Sequence, residues 1–207
     1  MSKFIGFLKS NVNDIFKPIL VLFAICIVIP LALSLTNELT AERIIKLQGK
    51  NEKATMSKLI KADEFEEYTF TGKKENFDLY IATEDGDVKG YIFKTSAKGY
   101  GGEVSVMTAI DTNGKVKEVS ILDASNETPG LGQNVTKENF YSQFMKKIKD
   151  ITVVKNSAID ENNEVNAVTG ATISSKAVTS AVNKALANFE EYSNAIFKDT
   201  EVEYSEE

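Results

Sequence analysis

The chain has no histidine and a single cysteine, Cys26, among 207 residues. Those two shortages exclude a good deal. A disulfide within the chain has no second partner, a zinc or iron–sulfur centre has too few ligands, and a histidine-based triad lacks its base. Redox chemistry here requires a bound organic group. Positive charge is also short: 24 Lys and Arg stand against 30 Asp and Glu, a net charge of -6. Nucleic acid calls for clustered cations, so none is expected as a partner. The acidic runs at residues 64–67 and 201–207 read as solvated faces.

What is present suffices for a core. Hydrophobic residues make up 43% of the chain, with 12 Phe, which excludes wholesale disorder. Residues 18–35 carry no charge; as a helix they span ~27 Å at ~1.5 Å per residue, enough to cross the hydrocarbon of a bilayer. The stretch reads as a transmembrane helix over residues 18–36. A cleaved signal peptide is the rival, but the run exceeds the usual ~7–15 residue core and no small-x-small site follows it. Pro30 within the run suits a helix with neighbours in the membrane. Lys3, Lys9 and Lys17 precede the run, which by the positive-inside tendency puts residues 1–17 in the cytoplasm and the rest across the membrane. Residues 37–62 read as a membrane-proximal helix or stalk, 63–198 as an extracytoplasmic domain, and 199–207 as an acidic tail.

Within the domain the pattern changes to strands. Residues 79–83 and 88–94 flank Glu84-Asp85-Gly86-Asp87, and residues 104–110 and 116–122 flank Thr112-Asn113-Gly114; both read as hairpins. Four strands in a meander give a small antiparallel sheet with one face to cover. Helices over 137–148 and from Ser174 to about Phe197, with a short strand at 151–155 between them, supply the cover. The expected class is α+β, a small antiparallel sheet covered by helices, with one N-terminal transmembrane helix.

Three loops remain to be read. Asn166-Ala167-Val168-Thr169-Gly170-Ala171-Thr172-Ile173-Ser174-Ser175 precedes a run in which Ala177, Val178, Ala181, Val182, Ala185, Leu186 and Phe189 recur at helical spacing. Ser174 or Ser175 is expected to cap that helix, leaving Thr172 in the loop just before its amide-rich end, a place suited to phosphate. Small and hydroxyl residues there also serve as an ordinary lead-in to a helix. Gly99-Tyr100-Gly101-Gly102 and Glu127-Thr128-Pro129-Gly130-Leu131-Gly132 read equally as turns, or as loops whose small residues admit a flat ligand while Tyr100 and Leu131 pack on its ring.

Taken together with the N-terminal anchor, these three motifs resemble the G subunit of the Rnf electron-transport complex, RnfG, and more distantly NqrC of the sodium-pumping quinone reductase. The resemblance covers nearly the whole chain, and the second loop followed about 40 residues later by Thr169-Gly170-Ala171-Thr172 is its most specific part. It implies an FMN-binding domain whose FMN is joined by a phosphoester to Thr172 through the action of a separate flavin transferase using FAD. It implies further that Thr169, Gly170, Ala171 and Ser174 shape the phosphate end, and that Glu127, Thr128, Gly130, Leu131, Gly132 and Tyr100 lie along the isoalloxazine. No side chain is assigned acid–base work, and no metal or diffusible substrate is expected. The implied role is electron carriage within a membrane complex that links ferredoxin and NAD to sodium or proton movement, with the other Rnf subunits as partners. One departure stands out: the family motif begins with Asp where this chain has Asn166. A quinone-reductase or extracellular electron chain, and a cofactor-free membrane-anchored scaffold, are the alternative readings.

Overall fold

The computed structural model describes residues 12–73, 75–155 and 163–203. The first eleven residues, expected to lie in the cytoplasm, and the last four of the acidic tail fall outside them. The chain divides between Asn51 and Glu52 into two units.

The first unit is helical. Helix α1 runs over Val12–Leu59 and includes Pro18 and Pro30. Its segment Phe16–Thr36 has a mean hydropathy of 2.8, with none of it buried. A water-soluble domain would hide such a face. At ~1.5 Å per residue the segment is long enough for a bilayer core.

The second unit opens with the last turns of α1 and continues into a five-stranded antiparallel meander, β1 (Glu64–Thr71), β2 (Asn76–Glu84), β3 (Asp87–Lys98), β4 (Glu103–Ile110) and β5 (Val116–Asp123), in that spatial order. The sheet has one strand more than the pattern indicated, because β1 buries little and shows no clean alternation. Side chains alternate between two cores. Leu79, Phe93, Val104, Val106 and Ile110 point to one face, where Ala177, Val178, Ala181, Val182 and Ala185 cover them. Ala82, Ile92, Met107 and Ala109 point to the other and meet Met56, Leu59 and Ile60. Both faces are therefore covered, the second by residues that the sequence left undecided between stalk and domain.

The covering helix, α3 (Thr172–Glu203), is preceded by a short parallel pair, β6 (Thr152–Val154) with β7 (Glu164–Asn166). The single helix expected over 137–148 is instead a 3-10 turn at Gly132–Thr136, a short α2 (Glu138–Tyr141) and another 3-10 turn at Ser142–Phe144. It stops there because the backbone of the next residues pairs elsewhere: Lys146 N–H donates to Val116 O at 2.7 Å, and Val116 N–H donates to Lys147 O at 2.9 Å. Lys146 is left-handed, with φ of 64°.

Candidate functional site

Three stretches distant in sequence meet on one buried carboxylate. Beyond β5, Glu127 N–H turns back to Ala124 O at 3.1 Å, and the Glu127 side chain points inward with 1% of the residue exposed. Its Oε1 accepts the Gly101 N–H at 3.0 Å, and its Oε2 accepts the Ser174 hydroxyl. A carboxylate out of water needs such donors. The neighbours must be small for this to happen. A Cβ on Gly101 would overlap the Asn126 carbonyl oxygen, and one on Gly132 would stand 2.8 Å from both Glu127 Oε2 and Ser174 Oγ.

The approach to α3 is held as firmly. Gln143 Oε1 accepts Asn166 N–H at 2.8 Å, and Asn183 on α3 both accepts from Ile151 N–H at 3.0 Å and donates to Ile151 O at 2.8 Å. Ala167 N–H donates to Val154 O at 2.8 Å, extending the parallel pair by one bond. Gly170 then takes a φ of 76°, a left-handed value that costs glycine little. The helix begins at Thr172, two residues earlier than expected, and neither serine caps it through its first amides. Ser175 Oγ instead reaches back, accepting Val168 N–H at 2.9 Å and donating to Ala171 O at 2.9 Å. Ser174 is committed to Glu127. The first intrahelical amide bond comes from Ser175 N–H to Ala171 O at 2.9 Å, so the amides of Thr172, Ile173 and Ser174 form the positive end of α3.

These elements border a groove of ≈ 630 Å³, within the size range of cofactor sites. Of the residues singled out from sequence, Tyr100, Thr128, Leu131, Gly132, Thr169, Gly170, Ala171, Thr172 and Ser174 line it. Tyr100 is 72% exposed and Leu131 47%, which leaves both side chains open to a ligand. Glu127 and Gly130 are not in the lining: Glu127 lies beneath the floor, and Gly130, with φ of 74°, turns the loop behind Leu131. Asn166 faces a separate neighbouring groove. Sequence reading missed Ala167, Val168, Ile173 and Lys155 as lining residues. Only Lys155 had a usable signal, as the one charged residue closing the apolar run at 151–155.

A groove with apolar flanks, a row of hydroxyls and a helix start at one wall has the chemistry to take a phosphate-bearing ring cofactor, and the FMN-binding domain family matches residues 99–187. The chain carries an FMN-binding domain. It belongs to the RnfG family, the G subunits of ion-translocating oxidoreductase complexes. It is 38% identical over 189 residues to the G subunit of the Na(+)-translocating ferredoxin:NAD(+) oxidoreductase complex of Acetobacterium woodii, covering 83% of this chain and 90% of that one. Against the G subunit of the proton-translocating ferredoxin:NAD(+) oxidoreductase complex of Clostridium ljungdahlii it is 38% identical, covering 77% and 81%. With the G subunit of the ion-translocating oxidoreductase complex of Methanosarcina acetivorans it shares 30% identity, over 86% of this chain and 95% of that one. The fold is that of NqrC, the C subunit of the Na(+)-translocating NADH-quinone reductase, from Parabacteroides distasonis, with a TM-score of 0.51 at 23% identity, over 57% of this chain and 63% of that one. An apolar helix of the length of Phe16–Thr36 in a member of such a complex belongs in a membrane.

Proposed function

We propose that the groove holds FMN esterified through its phosphate to Thr172, and that the chain is the electron-carrying subunit of a membrane-bound ferredoxin:NAD oxidoreductase complex coupled to the movement of sodium ions or protons. The observation that carries this reading is the place of Thr172: it lines the groove at the first residue of α3. A phosphate joined there meets the helix's unbonded amides. Attachment is a transfer in which Thr172 Oγ forms a bond to the flavin-side phosphorus of FAD, the pyrophosphate link breaks, AMP leaves, and the hydroxyl proton is released. A flavin transferase is the partner that this step requires.

Each residue then has a task. Gly170 turns the chain to present Thr172, and Ala171 leaves room beside it. Thr169 and Ser174 border the phosphate end, while Thr128, Leu131 and Tyr100 lie along the ring and Gly132 lets it approach the floor that Glu127 holds. Bound flavin supplies the chemistry, accepting two electrons together and releasing them singly. Residues 1–17 lie on the cytoplasmic side and the FMN domain on the other, among the remaining subunits of the complex. Relatives equally similar to this chain are named for sodium and for protons, so the choice of ion resides outside what the two share with it.

The test is the intact mass of the membrane-expressed chain, made with a flavin transferase, for wild type and Thr172→Ala. A gain of one FMN less water in the wild type alone is expected. Wild type without the adduct would falsify the covalent assignment. Co-purification in detergent with ferredoxin- and NAD-reactive subunits is expected, and recovery with quinone-reactive subunits instead would overturn the choice of complex.

A further inference from the structure

Among the described residues, Lys155 is the one charged side chain lining the groove, and no carboxylate lines it. That is unusual ground in a chain of net charge -6. The position is not a loose surface site: Lys155 directly follows β6, whose Val153 pairs with Val165 and whose Val154 carbonyl accepts Ala167 N–H at 2.8 Å. This pairing sets the Lys155 backbone beside Ala167, at the start of the segment that runs into Thr172. No ion pair or hydrogen bond within the described residues occupies its ammonium. A cation on a strand-anchored residue, with no partner and no other lining charge among the described residues, is available to an anionic ligand.

We infer that Lys155 sets the reduction potential of the bound flavin by stabilising the charge the ring gains on reduction. The inference rests on the reading of the groove as an FMN site. The phosphate of FMN is met by the amides at the start of α3, and the inference assigns the Lys155 ammonium to the ring. Uptake of two electrons and one proton adds one net negative charge to the isoalloxazine. A cation at the same groove favours that form over the oxidised, neutral one. The ammonium is solvent-exposed, so screening limits the gain to about tenfold in the partition between reduced and oxidised flavin, about 30 mV for a two-electron couple.

The test is a spectroscopic redox titration of the full chain, flavin-loaded in the presence of the transferase, for wild type, Lys155→Gln and Lys155→Arg, with loading read first by intact mass. Lys155→Gln is expected to shift the partition about tenfold toward oxidised flavin at a fixed potential, and Lys155→Arg to hold close to wild type. Equal potentials in loaded wild type and Lys155→Gln overturn the inference, whatever happens to loading. A shift of equal size in Lys155→Arg overturns it too, since charge would not be its cause. Absence of flavin from the wild type removes the FMN reading itself, an outcome that the mass separates from the others.

Discussion

Two grooves of nearly equal volume, ≈ 630 and ≈ 610 Å³, flank the same three residues, Ala167, Val168 and Thr169. The first has Tyr100, Leu131 and Ile173 on its walls and the start of α3 at one side. The second is lined by Asn134, Asn139, Gln143 and Asn166, together with Lys137 and Phe140. A three-ring heterocycle needs apolar contact over its faces and a few directed donors, and amide-lined space is satisfied by water. Size therefore does not separate the two; the chemistry of the lining does. The contrast also bears on Asn166. Asn166 lies on the second groove, while Thr172 lies on the first.

The contrast is broken most severely from beneath the first groove. Glu127→Ala leaves the Gly101 N–H and the Ser174 hydroxyl without their acceptor and opens a void under the floor. Each buried unsatisfied donor costs about 1–3 kcal/mol, so a loss of about 3–5 kcal/mol is expected in urea unfolding. Flavin content, read as the ratio of flavin to protein absorbance, falls with it. Glu127→Gln keeps one acceptor oxygen and loses about 1–2 kcal/mol. An alanine variant as stable as wild type would show that the carboxylate does not hold the three loops together.

The partition between the grooves is the next target. Gln143 binds the Asn166 backbone from both sides, accepting its N–H at 2.8 Å and donating to its carbonyl at 3.4 Å. Gln143→Leu removes both bonds and costs about 1–2 kcal/mol. Because it frees the segment leading to Thr172, the absorption band of the bound flavin shifts. Asn139→Ala touches only the second groove and leaves the band in place. A flavin spectrum that answers equally to both would mean that the grooves are not distinct in function.

How much of this arrangement could be read in advance follows from where the energy lies. The hairpins β2–β3 and β4–β5 announce themselves by alternation and by turns, and Asp85-Gly86 adopts the pair of positive φ values, 54° and 84°, that its turn needs. The other turn behaves differently: Asp111 Oδ1 gathers the N–H groups of Asn113 and Lys115, each at 2.9 Å, so an aspartate outside the expected triplet does much of the shaping. Strand β1 was hidden because Glu64, Glu66 and Glu67 read as a solvated run, although as an edge strand it needs to bury only Phe65 and Phe70 in part. The groove was legible through its small residues and hydroxyls. The inward turn of Glu127 was not, since a carboxylate in a glycine-rich loop is ordinarily solvated, and only the meeting of Gly101, Gly132 and Ser174 around it makes burial tolerable. Three-residue strands such as β7 carry too few side chains to show a period.

A change away from both grooves gives the scale for those effects. Thr108 lies in β4 with its hydroxyl buried and, among the described residues, without a hydrogen-bond partner. Thr108→Val keeps the shape and removes the uncompensated polar group, so a gain of about 1 kcal/mol is expected with no change in flavin content. Loss of stability would reveal a bond to the hydroxyl.

The smallest effect lies on the sheet face turned toward Met56, Leu59 and Ile60, where Tyr80 packs. Burial pushes the pKa of its hydroxyl up to about 12, aided by its hydrogen bond to Glu67 Oε1 at 3.0 Å and by the nearby negative charges of Glu67, Glu52 and Asp78. In the unfolded chain a tyrosine titrates near pH 10. Between about pH 10 and 12 the folded protein therefore keeps a proton that the unfolded chain has lost. The resulting stabilisation is complete below about pH 10 and disappears as the pH rises through the folded value. The ring is only partly buried, so solvent screening holds the contribution to at most about 1 kcal/mol. Lysines titrate in the same window, and the difference between wild type and Tyr80→Phe isolates the tyrosine. The Phe variant is expected to lose less stability than wild type from about pH 10 to 12 in urea titrations, while both keep the same flavin spectrum. Parallel losses would mean that Tyr80 ionises as freely in the folded sheet as in the unfolded chain.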